Sequence, residues 1–197
     1  MLKTKIAVFV SGGGTNFEAL INAQENGKIP HGEIVLMVSS SKTAYALKRA
    51  ENHGIKSVVC SKKELGSQEK FEEEILKNLE ENDIQLIVLA GFMSILSKEF
   101  TKKYENRIIN IHPSLIPSFC GEGFYGLHVH EAALKKGVKV TGATVHIVNE
   151  IPDGGPIIMQ RAVYVEENDT PEILQQRVME QAEWKILPES VELMCSG

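Results

Sequence analysis

The sequence predicts an α/β fold, a mostly parallel twisted sheet with helices on both faces. Three observations predict it. Short apolar, β-branched runs alternate with helical stretches as far as residue 111. A glycine-rich turn joins the first run to the first helical stretch, as in a Rossmann-like nucleotide-binding half. Beyond residue 139, two long strand patterns enclose a turn-rich loop and a helix follows, which predicts a C-terminal β-hairpin and helix.

Lys5 to Val10 reads as a buried parallel strand. Ser11-Gly12-Gly13-Gly14 follows, and Thr15 opens a helix that runs to about Asn26, with Gly27 and Pro30 beyond its end. Ile34 to Val38 is a second strand, Ala44 to His53 a helix closed by Gly54, and Ser57 to Cys60 a short third strand. The spacing of Phe71, Ile75 and Leu79 predicts a helix over 68–81, with Glu72-Glu73-Glu74 as its solvated side. Leu86 to Ala90 is a fourth strand ending in Gly91. Ser97 caps a short helix carrying Phe100 and Tyr104, and Ile108 to Ile111 is the fifth strand.

The pattern then changes. Pro113 to Tyr125 has no periodicity, and a loop of that length in a compact domain is usually functional. A helix from Val129 to Lys136 precedes two long strands, Val140 to Val148 and Ile157 to Val165. Thr170-Pro171 supplies an N-cap and a first-position proline to a last helix with Leu174, Val178, Ala182 and Ile186 on one face, and Pro188 is expected to kink or break it. With no repeat or linker, residues 1–197 read as a single domain.

The 197 residues are 43% hydrophobic and 24% charged, which supports a substantial core without staples. A formal charge of -5 gives no sign of a nucleic-acid or anionic-membrane surface. Cys60, Cys120 and Cys195 are too scattered for a disulfide framework or a zinc cluster, and they suit a reducing compartment. The apolar run Ile6 to Val10 is too short for a signal peptide or membrane span, so the expected location is cytoplasmic and no metal is expected.

Three segments carry chemistry. The glycine turn at 11–16 brings backbone amides and a helix N-terminus close to a ligand, for which a phosphate is the natural guest. Phe17 stands where a dinucleotide fingerprint needs its third glycine, and a tight turn without ligand is the other reading. Asn110 and His112, two apart on a strand, point the same way at its carboxyl end. An amide and an imidazole there suit stabilisation of an oxyanion in acyl or formyl transfer, while a structural His-Pro turn accounts for the same residues. Asp153, in a loop between two strands, is a candidate to hold the imidazole protonated and to order a water for proton transfer, although Asp-Gly-Gly-Pro is also a common turn. His128 and His130 flank Val129 at a helix start, His146 reads as a packed strand residue, and Cys120 has no assigned partner.

In order and spacing, Ser-Gly-Gly-Gly-Thr-Asn at 11–16, Leu89 to Met93, Asn110 to Pro117, Thr144 to His146 and Asp153 to Ile158 resemble the phosphoribosylglycinamide formyltransferases, the folate-dependent GAR transformylases of purine synthesis, over nearly the whole chain. The resemblance implies the formyltransferase fold and transfer of a formyl group from 10-formyltetrahydrofolate to the amine of glycinamide ribonucleotide. It implies that Asn110, His112 and Asp153 are catalytic. It places glycinamide ribonucleotide on Gly13, Gly14, Thr15, Asn16, Pro113 and Glu183. It places the folate on Gln68, Met93, Ser94, Ile95, Leu96, Asn110, Asn149, Glu150, Ile151, Pro152 and Asp153.

The chain departs from that pattern at several points. Ser94 and Gln68 stand where members often carry arginine, the loop 119–125 is longer, and 179–184 carries one extra residue. A related hydrolase or a transferase acting on initiator tRNA is expected to need a further domain or a basic face. A module keeping only the phosphate loop leaves Asn110, His112 and Asp153 unexplained. The expected partners are the two substrates, with no nucleic acid or membrane, in a monomer or homodimer.

Overall fold

In the computed structural model, which describes residues 2–197, the first apolar run forms strand β1 (Thr4–Val10). Ile6, Val8 and Val10 face one core, Ala7 and Phe9 the other, and all five are buried. Burial on both faces explains why this strand shows no polar alternation. Among the described residues it lies in a sheet with β2 (Gly32–Ser39), β3 (Lys56–Val59), β4 (Leu86–Leu89), β5 (Ile108–His112), β6 (Val140–Ile147) and β7 (Ile157–Tyr164). The order is β3-β2-β1-β4-β5-β6-β7. Strands β1 to β5 are parallel, whereas β6 runs antiparallel to β5 and β7 antiparallel to β6. The parallel half and the C-terminal hairpin are both as the sequence predicts.

Helices cover both faces. Helices α1 (Thr15–Glu25) and α2 (Ala46–Asn52) bury Phe17, Leu20, Ile21, Ala46 and Ala50 on one side. Helix α3 (Lys62–Leu65), four residues with none buried, was not anticipated because Lys-Lys-Glu-Leu has no periodicity to read. Helix α4 (Gln68–Glu81) buries Phe71, Ile75 and Leu79 on the opposite side, beside Phe100 of α5 (Lys98–Lys103). The hydroxyls of Ser67 and Ser97 cap these two helices by accepting from the backbone N–H groups of Lys70 and Phe100. One expectation fails here. Glu72 is not on the solvated side: it is 8% exposed and turns inward beside Phe71.

Helix α6 (Leu127–Lys136) precedes the hairpin. The C-terminal helical segment is α7 (Pro171–Val178), a wider π turn (Met179–Glu183) and α8 (Trp184–Ser196). Pro188 neither ends nor breaks it, because the chain stays helical to Ser196. The irregularity lies upstream. Pro188 has no N–H for the Trp184 carbonyl, and the π turn, which takes up one extra residue, ends immediately before Trp184.

Strand β7 carries an irregularity of its own. Val145 opposes Met159, but His146 opposes Ile157, so Ile158 is an extra residue at that point. Just before it, Gly155 packs against β6 so closely that a Cβ there would lie 1.8 Å from the Ile147 carbonyl oxygen. Among the described residues no helix is long and apolar enough to cross a membrane.

Candidate active site

Strand β1 leads to β2 on one side, and the crossover from β3 returns on the other side as β4. The carboxyl ends of β1 and β4 therefore flank the switch point at which open α/β sheets bind ligands. The glycine loop leaves β1 there, Gly91 leaves β4, and β5 delivers Asn110 and His112 alongside. A cavity of about 880 Å³ opens above these ends. Asn16 and Glu183 lie at its wall together with Asn110, His112, Asp153 and His130.

Asp153 sits between two imidazoles. Its Oδ2 is 3.6 Å from Nδ1 of His112, and its Oδ1 is 3.5 Å from Nε2 of His146. The Gly121 N–H donates to Oδ2 at 2.8 Å. Burial alone would raise the Asp153 pKa, but the His146 contact, the positive charge available on His112 and the Gly121 amide outweigh it and hold the carboxyl below its ordinary range. The backbone of Asp153 is left-handed, φ +53°, which costs a non-glycine residue about 1 kcal/mol or more and aims the side chain back into the cavity.

The hydrogen bonds settle how the rings are used. A carbonyl only accepts, so Nε2–H of His112 donates to the Phe119 carbonyl at 2.8 Å and Nδ1–H of His146 donates to the Ile147 carbonyl at 2.9 Å. The other nitrogen of His146, Nε2, lies 3.1 Å from the Asn110 amide and 3.5 Å from Asp153 Oδ1, so its lone pair serves the amide and a proton on it serves the carboxylate. Donation to the Phe119 carbonyl leaves Nδ1 of His112 facing the Asp153 carboxylate. His130 is the opposite case. It is buried, its Nδ1 has no partner, and burial together with nearby His112 pushes its pKa down to about 4, so it is a neutral wall.

At the far end of the cavity, burial pushes the Glu183 carboxyl up to about 7, against the pull of the Asn16 amide, whose Nδ2 lies 3.4 Å from Oε1. The Asn16 Oδ1 has no partner. A buried acceptor without a donor, beside a buried carboxyl, suits a ligand that brings hydroxyl groups. In the glycine loop, Gly14 has φ +73° and a Cβ on it would lie 2.8 Å from Cβ of Ala46, so this glycine is needed for the helix contact itself. A Cβ on Gly12 or Gly13 would meet nothing within 4 Å, which leaves room for a ligand. Helix α1 starts without a side-chain cap, so its first amides are free for an anion. Arg49 Nε donates to the Gly13 carbonyl at 2.8 Å and so satisfies that acceptor.

A profile of the formyl transferases matches residues 4–191. The chain belongs to the formyl transferase family. The trifunctional purine biosynthetic protein adenosine-3 of Gallus gallus is 47% identical over 195 residues, which is 99% of this chain and 19% of that protein. The chain thus spans about a fifth of the length of that curated relative. Glycinamide ribonucleotide transformylase 1 from Symbiobacterium toebii superposes with a TM-score of 0.92 at 36% identity, covering 99% of this chain and 89% of that one. Phosphoribosylglycinamide formyltransferase from Bacillus halodurans does so with a TM-score of 0.90 at 39% identity, covering 98% and 96%.

The structure brings Asn16, Met93, Ile95, Asn110, His112, Pro113, Pro152, Asp153 and Glu183 to one cavity wall. Other residues named from the sequence stand off it. Gly13 and Gly14 lie in the neighbouring loop, and Thr15, the first residue of α1, hydrogen-bonds Met179 Sδ at 3.6 Å. Leu96 packs into the core of α4, and Ser94 is not on the wall. Asn149 accepts from the Ile151 N–H at 2.9 Å within their own loop, Ile151 is exposed, and Glu150 pairs with Lys98 at 3.7 Å. Gln68 spends its amide on Glu72 and on the Ile95 carbonyl. Sequence reasoning reads His146 as packed, which it is, but misses that it stands between Asn110 and Asp153, and it misses the Gly121 amide and the Phe119 carbonyl.

Proposed function

We propose that the protein transfers the formyl group of 10-formyltetrahydrofolate to the amine of glycinamide ribonucleotide, releasing tetrahydrofolate. The observation that carries this reading is the joint presentation of Asn110, His112 and Asp153 at one end of a cavity whose other end holds Asn16 and Glu183. The ribose hydroxyls of the nucleotide would donate to the Glu183 carboxyl and to Asn16 Oδ1, the acceptor that lacks a donor. Its phosphate would take the free amides of the loop at 13–16. The folate would lie at the mouth, against the apolar Met93 and Ile95, which are 54% and 76% exposed.

The chain's own groups then divide the work. Asn110 keeps one amide N–H beyond the one directed at His146, and that hydrogen is free for the formyl oxygen. The His112 Nε2–H would exchange the Phe119 carbonyl for the same oxygen, where negative charge grows as the amine attacks. Asp153 balances the imidazolium and, through a water, takes the proton that the amine must lose and returns it to N10 of the departing tetrahydrofolate as the N10–formyl bond breaks. With both substrates present, turnover of 10-formyltetrahydrofolate can be followed by folate absorbance. Formyl transfer to glycinamide ribonucleotide is the expected result. Tight binding of the nucleotide without transfer would overturn the assignment and leave a binding module.

A further inference from the structure

The segment Gly91 to Ser97 forms one side of the cavity mouth, yet it is neither strand nor helix. Its residues alternate. Phe92 and Leu96 turn into the α4 core, with the Phe92 ring 5.2 Å from Phe9 and 6.4 Å from Phe71. Met93 and Ile95 turn outward to the cavity. An irregular backbone with apolar tips facing water needs polar partners to keep one conformation. Here they come from other elements. The Ser11 hydroxyl accepts from the Met93 N–H at 2.8 Å. The Gln68 amide donates to the Ile95 carbonyl at 3.1 Å.

The third anchor is Glu72. One oxygen, Oε1, accepts from the Ser97 N–H at 2.6 Å and from the Gln68 amide at 2.6 Å, while Oε2 accepts from the Ser97 hydroxyl at 2.6 Å. The carboxylate therefore fixes the end of the segment directly and orients the amide that fixes its middle. A buried carboxylate is retained only where its acceptors are filled, and these three donors fill them. From this geometry we infer that Glu72 is a positioning residue for the formyl-donor side of the cavity. It sets where Met93 and Ile95 stand, and so governs affinity for the folate while leaving the nucleotide end untouched. The inference rests on the functional reading given above.

The test is a KM measurement for both substrates on the full chain. Glu72→Leu keeps the volume and removes all three bonds. It is expected to raise KM for 10-formyltetrahydrofolate roughly tenfold or more, because small misplacements of a positioning group are costly, with KM for glycinamide ribonucleotide within about twofold of wild type. Glu72→Gln keeps one carbonyl acceptor and an amide that the Ser97 hydroxyl can accept from, and should restore most of the folate affinity. Gln68→Leu, at a half-buried surface position, removes only the Ile95 and Glu72 bonds. It should raise the same KM by a smaller factor, and decides the matter should Glu72→Leu fail to fold. A merely structural carboxylate would lower stability and the active fraction and leave both KM values alone, and that outcome overturns the proposal. Absence of formyl transfer in the wild type overturns the functional reading and this inference with it.

Discussion

Asp153 and Glu183 are two carboxyl groups in one cavity whose surroundings push them in opposite directions. Asp153 is held low by His146, His112 and the Gly121 amide despite its burial, whereas Glu183 is raised to about 7 by burial with only Asn16 to offset it. Asp153→Asn should therefore keep the fold but lose the charge that balances His112. Turnover is expected to fall roughly a hundredfold or more, the usual worth of a positioned acid–base group, and a near-normal kcat would remove Asp153 from the mechanism. Glu183 makes a prediction about stability. Its folded pKa lies above the ordinary 4.5, so between about 4.5 and 7 the folded chain binds more protons than the unfolded one. Its contribution is present in full below about pH 4.5 and is lost as pH rises through 7. Glu183→Gln should show a flatter stability profile from pH 5 to 8 in urea titrations and gain up to roughly 3 kcal/mol relative to wild type at pH 8. An equal difference at both pH values would show that Glu183 does not titrate there.

The elements differ in how their side chains report on them. In α4 the apolar positions alone fix the helix at Gln68–Glu81, the range its spacing predicts. The same helix shows the limit of reading charge by adjacency. Glu72 was grouped with Glu73 and Glu74, yet Glu72, Ile75 and Leu79 are three and seven apart and share a face. Helical spacing would have turned it inward. Phe71 lies at the centre of that face, fully buried against β1 and stacked on Phe92. Phe71→Ala should cost about 3–5 kcal/mol by thermal or chemical unfolding. The π turn at 179–183 is the counterpart in the last helix. Its extra residue is visible in the sequence as a length difference, but only the structure shows that this residue is absorbed as a wider turn carrying Glu183.

At the scale of the whole molecule, the cavity wall is assembled from two different parts of the sheet. The parallel half supplies the glycine loop, Asn110 and His112, and these were legible because strand periodicity and glycine runs are local signals. The antiparallel hairpin supplies His146 and the loop with Asp153. The pairing of Asn110 with His146 across β5 and β6 joins residues far apart in sequence, and the Phe119 and Gly121 contacts use backbone groups that carry no side-chain signature. Those parts of the site could not be read from residue types. The nucleotide end makes its own prediction. Inorganic phosphate or glycinamide ribonucleotide should slow hydrogen exchange at the amides of residues 12–16 and leave the β7 amides unchanged. Unchanged exchange in the loop would remove the phosphate assignment.

The extra residue at Ile158 and the close seat of Gly155 act together as an alignment device for the chemistry. Side chains on a strand alternate faces, so a slip of one position would withdraw His146 and present Val145 or Ile147 to Asp153 instead. Gly155, although absent from the cavity wall, lets the loop close on β6 at the one offset that leaves the imidazole in place. Gly155→Ala would push against the Ile147 carbonyl, to which His146 itself is bonded. It is expected to reduce kcat more than it reduces thermal stability, which kinetics and a melting curve on the same sample would separate. In this protein the offset of a hairpin decides which side chain stands beside Asp153.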